Sequence, residues 1–134
     1  MTGQTGAELR ATCPCGALVA RTAAAPIRVS ICHCDACRRR TGSAFSWNLR
    51  FDDSQVTIEG DAREWSRRGD EGATIRDAFC PTCGGSPYYR NDDLPGMIAL
   101  RGGALGRSAP PPGVSVYHDR CPDWLQIEGV DRWS

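Results

Sequence analysis

The chain has 134 residues, with 16 basic and 16 acidic side chains, so its net charge is zero and no whole-chain field draws it to nucleic acid or an acidic membrane. That length suits one domain with a modest core. No apolar run approaches the roughly 20 residues that span a bilayer, and Met1–Arg10 lacks the basic start and apolar stretch of a signal peptide, so a soluble, cytoplasmic protein is expected.

Residues 1–8 read as a flexible Gly/Thr-rich tail and residues 9–134 as a single domain. Leu9–Thr12 leads as a strand into Cys13-Pro14-Cys15-Gly16, a turn whose glycine permits left-handed backbone. Ala17–Thr22 resumes as a short strand and Ala23–Pro26 is a break. Ile27–Ile31 alternates apolar and polar residues as a half-buried strand does, and delivers the chain to Cys32. Asp35–Arg40 predicts one or two helical turns, ended by Gly42. Ser43–Phe51 predicts a strand with Phe45, Trp47, Leu49 and Phe51 on one face, a core stripe rather than a substrate platform.

Val56–Glu59 and Arg63–Ser66, joined by Gly60-Asp61, read as a hairpin, and Arg67–Gly72 as a charged loop. Ala73–Phe79 predicts a strand running into Cys80-Pro81-Thr82-Cys83-Gly84-Gly85. Tyr88–Tyr89 is a strand end before the polar turn Asn91–Gly96, and Met97–Arg101 is an inner strand. Gly102–Gly113 predicts a surface loop, with Val114–His118 and Trp124–Glu128 as closing strands. Turn signals every 8–12 residues or so and almost no helical periodicity indicate a mainly β domain.

Seven of the eight cysteines fall in three tight clusters and only Cys121 stands alone. In a reducing compartment that spacing points to metal rather than to disulfides. Cys13-x-Cys15-Gly and Cys80-x-x-Cys83-Gly are two knuckles, each at a strand end, suited to one closed four-thiolate zinc site. Glycine after each chelating turn lets backbone N–H groups point at the sulfurs and spread their charge. The gap of about 65 residues means that such a site staples distant parts of the sheet.

Cys32, Cys34 and Cys37 are then one ligand short of a closed site. Three protein ligands plus a water is the pattern of a catalytic zinc centre. A fourth ligand from His33, Asp35, His118 or Cys121 would make it structural instead. On an extended segment the His33 ring points away from its neighbours' metal, so an orienting or exposed role is expected for it. Arg38, Arg39 and Arg40 follow at once, either as a solvated helical face or as a carboxylate clamp, and Thr41 and Ser43 offer hydrogen bonds to a ligand.

Taken together, Cys13–Gly16, the Cys-His-Cys-x-x-Cys-Arg-Arg-x-Thr-Gly run at Cys32–Gly42, and Phe79–Gly84 resemble the glutathione-dependent formaldehyde-activating enzyme family, which also includes centromere protein V. The resemblance runs from about Leu9 to Trp124. It implies a β-tent fold of small antiparallel sheets around two zinc ions. By motif position, Cys13, Cys15, Cys80 and Cys83 take the structural ion, while Cys32, Cys34 and Cys37 take the catalytic one. The implied activity is that of a carbon–sulfur lyase, condensing formaldehyde with glutathione to S-hydroxymethylglutathione. Arg38, Arg39 and Thr41 are the candidate substrate-binding residues. The Gly-Thr-Leu-Asp run common in the family is matched here by Gly103-Ala104-Leu105-Gly106, without the acid.

The competing reading is a zinc module that recognises a protein or nucleic acid without catalysis. Neutral net charge argues against a strong phosphate-driven mode, although Arg38–Arg40 with Arg67–Arg68 offer a local basic patch. The scheme makes a direct prediction: elemental analysis of purified protein returns two zinc ions per chain, and one or none refutes it.

Overall fold

Side chains on a strand alternate between faces, and in this chain that alternation separates an apolar core from a polar, cation-lined surface. The computed structural model describes residues 4–69 and 72–134. Strands β1 (Gln4–Thr12), β2 (Val19–Ala24) and β5 (Thr57–Glu59) form a three-stranded antiparallel sheet in the order β1-β2-β5. The remaining strands are β3 (Arg28–Cys32), β4 (Ser46–Asp52), β6 (Arg63–Arg68), β7 (Thr74–Phe79), β8 (Tyr88–Asn91), β9 (Met97–Arg101), β10 (Val114–Val116) and β11 (Asp131–Trp133). They form an eight-stranded sheet in the order β11-β10-β3-β4-β9-β8-β7-β6. Only β10 pairs in parallel, with β3 on one side and β11 on the other. The single α-helix among the described residues, α1 (Asp35–Thr41), leaves the end of β3, with Cys34 as its N-cap and left-handed Gly42 closing it.

The core lies between the two sheets. Leu49 and Phe51 of β4, Ile98 and Leu100 of β9 and Tyr88 of β8 meet Ala11, Leu18 and Ala20 from the small sheet, with Leu105 closing one side. The predicted stripe holds in part: Leu49 and Phe51 are fully buried and Trp47 packs against the same cluster, whereas β4 starts at Ser46, so Phe45 lies before the strand, half-buried and outside that cluster. Residues between these positions point to the opposite face. There Arg28, Ser30 and Cys32 of β3 lie opposite Arg50, Asn48 and Ser46 of β4.

Several expectations need correction. Strand β1 begins at Gln4, inside the segment read as a tail. Val56–Glu59 and Arg63–Ser66 do not form a hairpin: β5 pairs with β2, whereas β6 pairs with β7 in the other sheet. Gly60 marks the crossing point. Its φ is +96°, and a Cβ there would lie 1.9 Å from the Ala17 carbonyl oxygen, so only glycine lets the backbones touch. Arg67 and Arg68 belong to β6 rather than to a loop, and positions 70–71 of that predicted loop lie outside the described residues.

Gly102–Ser108 forms two 3₁₀ turns broken by a kink at Gly106, with Gly102 and Leu105 buried, rather than a surface loop. The chain leaves β10 at Val116, so His118 sits in a 3₁₀ turn. Trp124–Glu128 is irregular, and the closing strand is Asp131–Trp133. No helix among the described residues is long and apolar enough to cross a membrane.

Leu49→Ala removes a side chain with no solvent exposure from the middle of the core. We expect a loss of about 2–5 kcal/mol of unfolding free energy in denaturant titrations of zinc-loaded protein. Trp65→Ala, at a position 54 % exposed on β6, should shift stability by less than about 0.5 kcal/mol.

Candidate metal centres

The two knuckles meet although they lie far apart in sequence. Cys13, Cys15, Cys80 and Cys83 bring their sulfurs within 4.8 Å of one another, with Cys15 Sγ 3.7 Å from both Cys13 Sγ and Cys80 Sγ. Gly16 and Gly84 adopt positive φ, as the turn motif requires. The Leu18 N–H then donates to Cys13 Sγ at 3.2 Å and the Thr82 N–H to Cys80 Sγ at 3.4 Å. Burial works against ionising Cys13, but the Leu18 amide and the three neighbouring thiols outweigh it and bring its pKa down to about 6. Gly85 packs the knuckles together, since a Cβ there would meet Pro14 Cδ at 2.2 Å. Four sulfurs with amide donors fit a tetrahedral zinc ion with no open position.

Cys32, Cys34 and Cys37 converge at the junction of β3 and α1, again with sulfurs within 4.8 Å of one another. Cys34 Sγ accepts the Cys37 N–H at 3.4 Å, so the thiol that caps the helix also faces the site. Hydrogen bonds with Cys32 and Cys34 pull the Cys37 pKa down, while those with Cys34 and Cys37 push that of Cys32 up. Three thiols so placed fit a metal ion, and among the described residues no other histidine, cysteine or acid joins them.

His33, His118 and Cys121 instead form a cluster of their own. His33 is fully buried. Its Nδ1 lies 3.2 Å from the Ala44 carbonyl oxygen, its Nε2 lies 3.0 Å from Ser115 Oγ, and Ser115 Oγ lies 2.7 Å from His118 Nδ1. A carbonyl only accepts, so Nδ1 of His33 carries a proton. Burial, the largest influence, lowers the His33 pKa and keeps the ring neutral. The Ser115 hydroxyl therefore donates to His33 Nε2 and accepts from the N–H of His118. Asp35 is exposed at the start of α1.

A cavity of about 320 Å³ opens beside the triad, lined by all three cysteines together with Asn48, Tyr89 and Tyr117 and by Arg28, Arg50, Arg67 and Arg101. Buried Asp77 on β7 anchors part of this wall. It pairs with Arg101, with Arg40 at 2.9 Å and with Arg67 at 3.5 Å. Arg101 also donates to Asn48 Oδ1 at 3.0 Å and lies 4.2 Å from the Tyr89 ring centre.

Arg38 and Arg39 line a separate surface hollow with Asp35 and Ser43, not this cavity. The Thr41 hydroxyl is spent on the Cys37 carbonyl, to which it donates at 2.8 Å. The pocket residues Arg28, Asn48, Arg50 and Arg101, and the buried Asp77 behind them, are missed by motif reading. Their only signal is the polar phase of strands whose other phase is apolar.

The family model described as glutathione-dependent formaldehyde-activating enzyme matches residues 8–120. The chain belongs to that family. A Rhodobacter sphaeroides protein solved by structural genomics shares its fold, with a TM-score of 0.57 and 19 % identity over 78 % of this chain and 92 % of that one. No curated protein matches the chain. The two cysteine clusters could each hold a metal ion.

The two clusters predict different losses. Cys83→Ser in this family member should unfold the domain, because a closed zinc site contributes folding free energy directly. Cys37→Ser should lose one metal equivalent and keep the far-ultraviolet circular dichroism of the native sheet. Equal instability of the two variants would show that this division of roles is wrong.

Proposed function

We propose that this family member makes or breaks the carbon–sulfur bond between a thiol and an aldehyde at the Cys32–Cys34–Cys37 centre, with glutathione and formaldehyde as the pair. The decisive observation is that three converging thiols are joined by no fourth protein ligand among the described residues. His118 and Cys121, which would close the site and favour a non-catalytic module, sit with His33 instead.

Zinc held by these thiolates would supply a Lewis-acidic open position. The chain's own residues do the rest. The helix-capping bond to Cys34 and the strand position of Cys32 fix the direction in which the centre opens, toward the cavity. In the condensation, the thiol sulfur forms a bond to the aldehyde carbon and the carbonyl π pair moves onto oxygen. The thiol gives up one proton and the oxygen gains one, so nothing is oxidised or reduced. Reversal expels the thiol. Asn48 and Tyr117 line the same cavity as the three thiols, so a substrate held there meets polar side chains as well as the centre.

Formaldehyde and thiols also combine without a catalyst, so the test is turnover above background. Zinc-loaded protein assayed with glutathione and formaldehyde should exceed the uncatalysed rate, and Cys37→Ser should return it to that rate. Background rates across a panel of thiols and aldehydes, with the metal sites full, would remove the proposal.

A further inference from the structure

The cavity wall carries two arginines that pair with no carboxylate among the described residues. On β3 and β4, Arg28 lies directly opposite Arg50, Ser30 opposite Asn48, and Cys32 opposite Ser46. These six residues share one face, with the triad at one end and two like charges at the other. Directly opposed like charges destabilise a strand pair. On the far side of β4 the neighbour of Arg50 is Ala99, which offers no counter-charge.

Asp77 is taken by Arg40, Arg67 and Arg101, and among the described residues no carboxylate forms an ion pair with Arg28 or Arg50. Asp93 also lines the cavity but pairs with neither. Arg28 is held over the Trp133 ring at 4.9 Å, and its Nε is buried without a hydrogen-bond partner. Burial, followed by the charge of Arg50, makes the Arg28 cation less favourable than usual. A folded protein that keeps two opposed, partly desolvated cations facing a cavity has left a place for an anion.

We propose that Arg28 and Arg50 form the carboxylate subsite of the substrate cavity and so set which thiols the Cys32–Cys34–Cys37 centre accepts. This rests on the thiol–aldehyde reading above and adds the part of the substrate remote from sulfur. Guanidinium forks pair bidentately with carboxylates and stay charged at every pH at which the protein is folded, so the subsite does not switch off in the neutral range. Cys32 lies four residue steps along β3 from Arg28, roughly 13 Å along the sheet at about 3.3 Å per residue. A thiol whose carboxylate is only three bonds from sulfur, as in free cysteine, is too short to use both ends. A peptide-sized thiol acid is long enough.

Arg50→Glu tests this cleanly, because it replaces two opposed like charges with an anion facing the Arg28 cation. The variant should melt no lower than the parent, which separates loss of binding from loss of fold. Three measurements on zinc-loaded protein follow. S-Methylglutathione, which has the carboxylates but no free thiol, should bind the parent by calorimetry and bind Arg50→Glu at least about tenfold more weakly, the expected scale for losing a charge-assisted pair. In turnover with formaldehyde, the parent should prefer glutathione over its diethyl ester, and Arg28→Met and Arg50→Glu should lose that preference mainly through KM. Free cysteine should gain no advantage over its ethyl ester.

Equal turnover of glutathione and its diester by the parent would overturn the subsite while leaving the thiol–aldehyde reading intact. Binding of S-methylglutathione that is lost in Arg50→Glu, in a protein that turns over no thiol, would support the subsite and remove the reaction. Undiminished binding in a folded Arg50→Glu variant would overturn the assignment outright.

Discussion

A buried carboxylate shared by three arginines holds the working half of this molecule together. Asp77 on β7 is 2 % exposed, and its partners come from three directions: Arg40 from α1, Arg67 from edge strand β6 and Arg101 from inner strand β9. Withdrawing that many charges from water is costly, and the cost is offset only while the geometry keeps each cation against the shared anion. Removing the anion would leave three uncompensated guanidinium groups at one place. Arg40 belongs to the helix that carries Cys37, so this cluster also sets how α1 lies on the sheet. The position of the thiol triad thus depends on a residue with no chemistry of its own.

The same shared carboxylate explains why the cavity keeps its positive character. One acid cannot serve every arginine on the face, and those beyond its reach remain available to a ligand. The two cysteine centres divide along similar lines. The four-cysteine cluster is completed within the chain and surrounded by amide donors, whereas the triad faces a cavity. His33, inserted between two triad thiols, turns the other way into a hydrogen-bond chain whose direction is fixed by the Ala44 carbonyl. Adjacent residues of one extended segment therefore serve two separate networks, as the pleat dictates.

Much of this was legible in the sequence wherever the determining physics is local. Chelating spacings, glycine after a knuckle, a short helix ended by Gly42 and the Leu49–Phe51 phase all follow from neighbours a few residues apart. What failed was partner choice. Gly60-Asp61 looks like a hairpin turn, yet the flanking strands join different sheets because β2 and β7 offer better partners. Arg38 and Arg39 stood out by adjacency to the thiols, but helical geometry turns them toward a separate hollow. Arg28 and Arg50 looked like the wet side of half-buried strands, since nothing local shows that the polar phase faces a cavity. The last strand differs from expectation because Asp131–Trp133 is short and on the exposed side, without the apolar alternation that marks a strand.

The parallel pairing of β10 with β3 has a consequence for how the protein is made. The strand that leads into the thiol triad receives one of its two neighbours from a segment far later in the sequence, and the Val116 carbonyl accepts the His33 N–H. Contacts between such distant segments are slow to form, and a chain emerging from the ribosome folds from its beginning. Cys32, Cys34 and Cys37 are synthesised well before Val114–Val116, so their flank stays open until β10 has been made. During that interval the thiols are exposed to oxidants and to any passing metal. Metal supply during synthesis, not only afterwards, thus bears on how much of the protein matures correctly.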